Sequence, residues 1–295
     1  MKTFFYKVAD LDFAMHSSEN ETLSDRLSNY QPFLISSSED VIFQITIHAD
    51  GTPLPEVMKD EFLIDFEEEG QRFCIYRHND KTMIEMTLSN KSEAIAYLII
   101  TKDYAEGQLY IKGNRDFRFY ALNNAMMMLY AFAGSQHHIL LQHASVIKRK
   151  GKGYLFLGKS GTGKSTHSRL WLKYIDDTEL LNDDNPAIGI SKDGKVKVWG
   201  TPWSGKTPCY KNDSVEIGGF VRLWQAPKNN ITPLDTLQAY ATLLPTVSGM
   251  KWDKQMADGM NETLNELATY VPVFSLECLP DEAAAKMSFH ALTGE

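Results

Sequence analysis

The stretch Gly158-Lys159-Ser160-Gly161-Thr162-Gly163-Lys164-Ser165, followed by Thr166, decides how this chain is read. It fills every fixed position of the Walker A pattern Gly-x-x-x-x-Gly-Lys-Ser/Thr. Glycines let the backbone turn so that its N–H groups point inward around a phosphate. The lysine then reaches the β- and γ-phosphates, and the serine hydroxyl ligates Mg²⁺. The flanks agree with this reading. Apolar Tyr154-Leu155-Phe156-Leu157 predicts a buried strand, and Thr166 to Tyr174 places its apolar residues at helical spacing. A strand, a glycine loop and a helix N-terminus in that order add the helix dipole to anion binding. The expected ligand of Gly158 through Thr166 is a nucleoside triphosphate with Mg²⁺.

The loop sits in a chain of 295 residues, 43% hydrophobic and 23% charged, an ordinary globular balance that allows one large domain or two smaller ones. A net charge of −8 with no long Lys/Arg block argues against nucleic acid or an anionic membrane surface as partner. The densest basic run, Lys148-Arg149-Lys150-Gly151-Lys152, reads as a hairpin turn just ahead of the loop strand. Cys74, Cys209 and Cys278 are scattered with no CxxC pair, which speaks against a zinc site or disulfide framework and for a reducing, cytoplasmic setting. The N-terminus lacks the apolar run of a signal peptide, and no apolar stretch approaches membrane-spanning length. The Asn90-Lys91-Ser92 match therefore carries no glycosylation meaning.

Residues 1–116 read as a mostly antiparallel β domain. Val41 to Ile47, Phe62 to Phe66, Arg72 to Tyr76, Met83 to Leu88, Ala94 to Thr101 and Gln108 to Lys112 form strand-like runs, and polar or glycine-containing turns such as Asp50-Gly51-Thr52-Pro53 separate them. A composition shift follows. Phe117 to Ala133 predicts a helix ended by Gly134-Ser135, and it opens a second domain over 117–295. Its Met126-Met127-Met128 run reads as gap-filling in a buried helix rather than as a promiscuous binding face. Beyond the loop helix, Leu180 to Ile188 resembles a strand running into an acidic loop. Ile190 to Val198 reads as a hairpin turned by Lys192-Asp193-Gly194-Lys195, and Val215 to Leu223 as a strand despite Gly218-Gly219. Leu234 to Leu244 and Met260 to Tyr270 read as helices. The fold class is α/β (α+β).

Asp183-Asp184 lies 19 residues beyond Lys164, at the end of an apolar run. Phosphoryl transfer needs carboxylates for two jobs there, one to hold the Mg²⁺ that bridges the phosphates and one to orient or deprotonate the nucleophile. Asp176-Asp177, closer in sequence, reads as a solvated cap at the end of the loop helix. His143 precedes Gly158 by 15 residues, and a hairpin through Lys148 to Gly153 would bring it near the phosphate end of the sheet. Taken alone, a histidine in an apolar strand is usually a satisfied core residue.

His143, the Gly158–Ser165 loop and Asp183-Asp184-Asn185 together resemble the catalytic domain of HPr kinase/phosphorylase, and more closely the smaller HPr-kinase-like proteins. The resemblance covers roughly Leu140 to Pro280. It implies the phosphoenolpyruvate carboxykinase-type P-loop fold, a mixed sheet with flanking helices. It also implies a Mg-ATP-dependent phosphotransferase acting on a serine of a protein or peptide, with the first domain docking that acceptor. Lys164 would neutralise the β- and γ-phosphates, and Ser165 would ligate Mg²⁺. One of Asp183 and Asp184, with Asp183 the assigned metal ligand, would hold the ion while the other acts as base. His143 would assist the reacting groups. Thr201-Pro202-Trp203-Ser204-Gly205-Lys206 resembles a loop that lies near the nucleotide in those relatives, and reads equally as a turn around a buried Trp203. The first domain differs from that of HPr kinases, and their basic, glycine-containing C-terminal segment is absent, so HPr itself is not implied. Two other readings stand beside this one: a nucleotide-binding regulatory protein without kinase turnover, and a small-molecule kinase or carboxykinase.

Overall fold

The computed structural model describes residues 1–17, 27–49, 51–53, 60–68, 70–88, 94–113, 115–205 and 207–295. Asn90-Lys91-Ser92, Asp50 and Lys206 lie outside the described residues. The chain is mixed α/β and forms two compact units, one of Met1–Lys7 with Leu11–Ala133 and one of Val8–Asp10 with Gly134–Glu295. Each unit carries a large mixed sheet.

In the first unit the strands are β1 (Lys2–Val8), β2 (Leu11–Ser17), β3 (Leu34–Ile35), β4 (Val41–Ile47), β5 (Glu61–Glu68), β6 (Gln71–His78), β7 (Lys81–Leu88), β8 (Ala94–Ile100) and β9 (Glu106–Ile111). Their order is β3-β1-β2-β4-β9-β8-β7-β6-β5. The antiparallel meander expected from the turn residues is present from β5 to β9. The sheet departs from the antiparallel expectation at β4, which pairs in parallel with both β2 and β9. Parallel neighbours require long connections rather than tight turns, and β4 is separated in sequence from both partners.

Helix α1 (Arg115–Gly134) belongs to this first unit. The division therefore falls after Ala133 and not at 116/117, for a packing reason. The ring of Tyr130 stands edge-on to Phe13 at 5.8 Å. Asn123 accepts hydrogen bonds from the Asn29 amide at 3.1 Å and the Tyr30 hydroxyl at 3.2 Å, and Asn124 donates to Gln71 at 2.9 Å. Of the methionine run, Met126 is buried and Met127 and Met128 are half-buried.

The second unit contains β10 (Ile139–Leu141), β11 (Ala144–Arg149), β12 (Lys152–Leu157), α2 (Lys164–Tyr174), β13 (Thr178–Asp184), β14 (Ala187–Ile190), β15 (Val196–Trp199) and β16 (Ser214–Gln225). These are followed by β17 (Asn230–Pro233), α3 (Thr236–Leu243), α4 (Lys254–Tyr270), β18 (Val273–Cys278) and α5 (Glu282–Thr293). The sheet order is β10-β14-β15-β16-β12-β11-β13, with β18 joined to β16 and β17 to β18. Long β16 organises the sheet. It pairs in parallel with β12, its first residues pair antiparallel with β15, and its last six pair in parallel with β18.

The β11–β12 hairpin turns through Lys150 and Gly151, at φ of 47° and 77°, the positive values a tight two-residue hairpin demands. Its basic run is matched by carboxylates. Lys148 meets Glu179 and Asp213, Arg149 meets Glu295, and Lys152 meets Glu216. One face of the sheet is covered by α2 and α5. There Trp171 is fully buried against the rings of Tyr154, Phe156 and Phe289 at 5.2, 5.3 and 5.8 Å, and Ile147, Val221, Leu223 and Leu276 complete the layer. Alternate residues of a strand face opposite sides, so Leu157 and its register partners lie on the other face. No described helix is long and apolar enough to cross a membrane.

Candidate functional site

β12 delivers the chain to Gly158, and α2 begins at Lys164. Between them Gly161 and Gly163 hold φ of 79° and 108°, left-handed values that a Cβ disfavours. The loop closes on itself, since both the N–H and the hydroxyl of Thr162 donate to the Lys159 carbonyl, at 3.1 and 2.6 Å. From the end of β16, Gln225 donates to the carbonyls of Gly161 at 3.2 Å and Thr162 at 3.4 Å. Lys159, Ser160, Gly161 and Thr166 are exposed, Thr162, Gly163 and Ser165 are half-buried, and Gly158 and Lys164 are buried.

The Lys164 amine donates to the Gly158 carbonyl at 3.0 Å and to His143 Nε2 at 2.6 Å. Burial lowers its pKa; Asp184 and Asp183 oppose that shift and Arg222 adds to it. His143 is pushed down to about 4, first by burial and then by the Lys164 charge, so its ring is neutral near pH 7. Because Nε2 accepts from Lys164, the ring proton sits on Nδ1, which lies 3.3 Å from Asp184 Oδ1. The backbone of His143 is pinned by its N–H donating to Thr246 O at 2.7 Å. Lysine, histidine and carboxylate thus form one continuous chain at the mouth of the glycine loop.

Asp183 and Asp184 are the last two residues of β13, not part of a loop beyond it. The register sets Asp183 opposite Ser145 and Asp184 opposite Ala144, so strand alternation puts the two carboxylates on opposite faces. Asp183, 5% exposed, shares its face with α2, where Ser145 and Ser168 hydroxyls meet at 2.7 Å. Asp184 is half-buried. Its N–H donates to Asn182 Oδ1 at 2.6 Å, and Asn185 Nδ2 donates to its Oδ2 at 3.1 Å. Asp176 and Asp177 are exposed just past α2, as a solvated turn should be.

The segment from Thr201 to Gly205 braces this acidic strand end. Gly205 N–H donates to Asp183 O at 2.9 Å, and Asn185 N–H donates to Trp203 O at 3.2 Å. Thr201 accepts from Asn182 Nδ2 at 3.1 Å and donates to Asn185 O at 2.7 Å. A Cβ on Gly205 would stand 2.8 Å from Asp183 O and 3.1 Å from Asp184 Cγ, so only glycine fits. The reading as a turn around a buried tryptophan agrees with Trp203 being 2% exposed, and its neighbours touch the residues of the acidic strand end.

The structure brings His143, Lys164 and Asp184 into contact, with Asp183 beside them and Ser165 one residue into α2. Sequence reasoning passed over Asn182, Thr246, Arg222 and Gln225. Of these only Arg222 carried a signal, a charge inside the otherwise apolar run Ile217 to Leu223. No group of three or more His, Cys, Asp or Glu side chains among the described residues could hold a metal ion. A cation here would take one carboxylate, a hydroxyl and oxygens from outside the protein, a donor set suited to Mg²⁺.

Residues 108–278 match the model of the family described as SynChlorMet cassette protein ScmC. No curated protein matches the chain. The family match spans more than half of the sequence and includes the loop, His143, both aspartates and Arg222: the chain belongs to the ScmC family.

Proposed function

We propose that this member of the ScmC family is a Mg-ATP-dependent phosphotransferase of the HPr-kinase-like kind, passing the γ-phosphoryl group to a serine hydroxyl of a protein or peptide. The observation that carries the reading is the Lys164–His143–Asp184 chain at the mouth of the glycine loop, with contacts of 2.6 and 3.3 Å. The antiparallel β11–β12 hairpin feeding that loop within a mixed sheet supports a phosphoenolpyruvate carboxykinase-type P-loop arrangement. The first unit would dock the acceptor, in a cytoplasmic setting.

The site residues divide the work by position. Ser165 and Asp183 would hold Mg²⁺, since Asp183 lies on the face of the sheet that α2 covers. When bound, the ion supplies charge neutralisation between the β- and γ-phosphates. Lys164 neutralises the same oxygens from the protein side. Asp184 takes the proton of the attacking serine hydroxyl as the new bond to phosphorus forms. The bond from the γ-phosphorus to the β–γ bridging oxygen breaks, and ADP leaves. Neutral His143, whose Nδ1 lies 3.3 Å from Asp184 Oδ1, keeps that carboxylate oriented.

Incubation of the purified protein with γ-labelled ATP and cell extract tests the proposal. Label on a serine is the expected result, with Asp184→Asn reducing transfer by about 10²- to 10⁴-fold while sparing nucleotide binding. Nucleotide binding without transfer would replace the proposal with the regulatory reading. Label on a metabolite would replace it with the small-molecule kinase.

A further inference from the structure

Arg222 of β16 is in register with Leu157 of β12, Leu157 with Ala144 of β11, and Ala144 with Asp184 of β13. One row across four adjacent strands thus begins at a carboxylate and ends at a guanidinium, on the face away from α2. The glycine loop leaves the sheet one residue beyond Leu157, between the two charges. At about 4.8 Å per strand the ends of the row are roughly 14 Å apart, too far for Asp184 to serve as counter-ion to Arg222.

Among the described residues no carboxylate forms an ion pair with Arg222. The guanidinium instead meets the ring of Trp224, two residues along the same face, with its central carbon 5.1 Å from the ring centroid. That stacking fixes the plane of the guanidinium while leaving its N–H fork available. Burial lowers the pKa of Arg222, and its charge in turn helps depress that of Lys164. A buried cation and a half-buried one therefore flank one glycine loop, an arrangement unfavourable by itself and relieved by an anion with several charged oxygens.

We infer that Arg222 is a second phosphate-binding cation of this site, contacting the terminal phosphate of the nucleotide from the side opposite Asp184 and held in plane by Trp224. The inference rests on the nucleotide reading of the Gly158–Ser165 loop and deepens it by assigning the residue that tells a triphosphate from a diphosphate.

Calorimetric titration of Mg-ATP and Mg-ADP into the full chain, with Arg222→Gln and Arg222→Lys alongside, decides it. Loss of one charge-assisted contact should weaken Mg-ATP by about 10- to 100-fold and leave Mg-ADP nearly unchanged. Arg222→Lys, which keeps the charge but not the planar fork, should recover part of the ATP affinity and serves as the readout should the Gln variant fail to fold. Equal weakening of ATP and ADP, or no change in either, overturns the inference while leaving the nucleotide site standing. A parent chain that binds neither nucleotide overturns both.

Discussion

Replacing His143 with glutamine removes one of two histidines, His143 and His167, whose pKa burial pushes down to about 4. An unfolded imidazole titrates near 6.5, so between the two values the unfolded chain binds a proton that the folded chain refuses. Stability is at its full value above pH 6.5, falls as pH drops from 6.5 toward 4, and levels off below that. A tenfold difference in proton affinity is worth about 1.4 kcal/mol, so the gap sets a ceiling of about 3 kcal/mol for His143 across the window. The side chain is 30% exposed, so solvent screening lowers that ceiling. Urea unfolding of parent and His143→Gln at about pH 7 and about pH 5 isolates the effect, because the carboxylates and His167 are common to both proteins. The parent should lose about 1 to 2 kcal/mol more than the variant over that interval. Equal losses would mean that the fold does not hold His143 neutral. The tautomer that links Lys164 to Asp184 would then be wrong.

Two further substitutions probe the support of the site. Gly205→Ala would press a Cβ against Asp183 O and Asp184 Cγ, at 2.8 and 3.1 Å. Displacing the acidic strand end should reduce phosphoryl transfer by about 10²-fold with nucleotide affinity kept, as read by paired transfer and binding assays. Trp171→Ala empties the space between Tyr154, Phe156 and Phe289 and strips the indole N–H that donates to Ser288 at 2.9 Å. A loss of about 3 to 5 kcal/mol in urea unfolding is expected.

The strand, loop and helix around Gly158 to Ser165 were legible because each is a local pattern: an apolar run, glycines where φ is positive, and apolar residues at helical spacing. The Lys148–Gly153 hairpin and the β5–β9 meander were legible for the same reason, through their turn residues. Non-local features were not. Placing β4 in parallel beside β2 and β9 depends on pairings between distant segments that no window of sequence reveals. The docking of α1 on the first sheet is likewise a tertiary matter, since amphipathicity does not say which sheet a helix covers. Strand β2 was missed because Leu11, Phe13, Ala14 and Met15 are all buried, which erases the alternation that marks a half-exposed strand. Helix α4 begins at Lys254, earlier than its apolar pattern suggests, because Asp253 caps it and Gly259 masks its first turns.

The candidate site divides in the same way. Lys164 and the aspartate pair announced themselves by spacing, whereas the opposite facing of Asp183 and Asp184 follows from a register that only the assembled sheet supplies. The tautomer of His143 follows from two contacts made by residues far apart in sequence. Arg222 was visible only as a charge in an apolar strand, and its meaning comes from the row it shares with Leu157 and Asp184.

Titration of Mg-ATP into the parent and into Lys164→Ala, with matched melting curves to show that both are folded, tests the central claim most directly. The expected result is saturable binding by the parent and a loss of affinity of about 100-fold or more in the variant, since the Lys164 amine is buried against His143 and Gly158 at the base of the loop. A Lys164→Ala variant that binds Mg-ATP as tightly as the parent would contradict it.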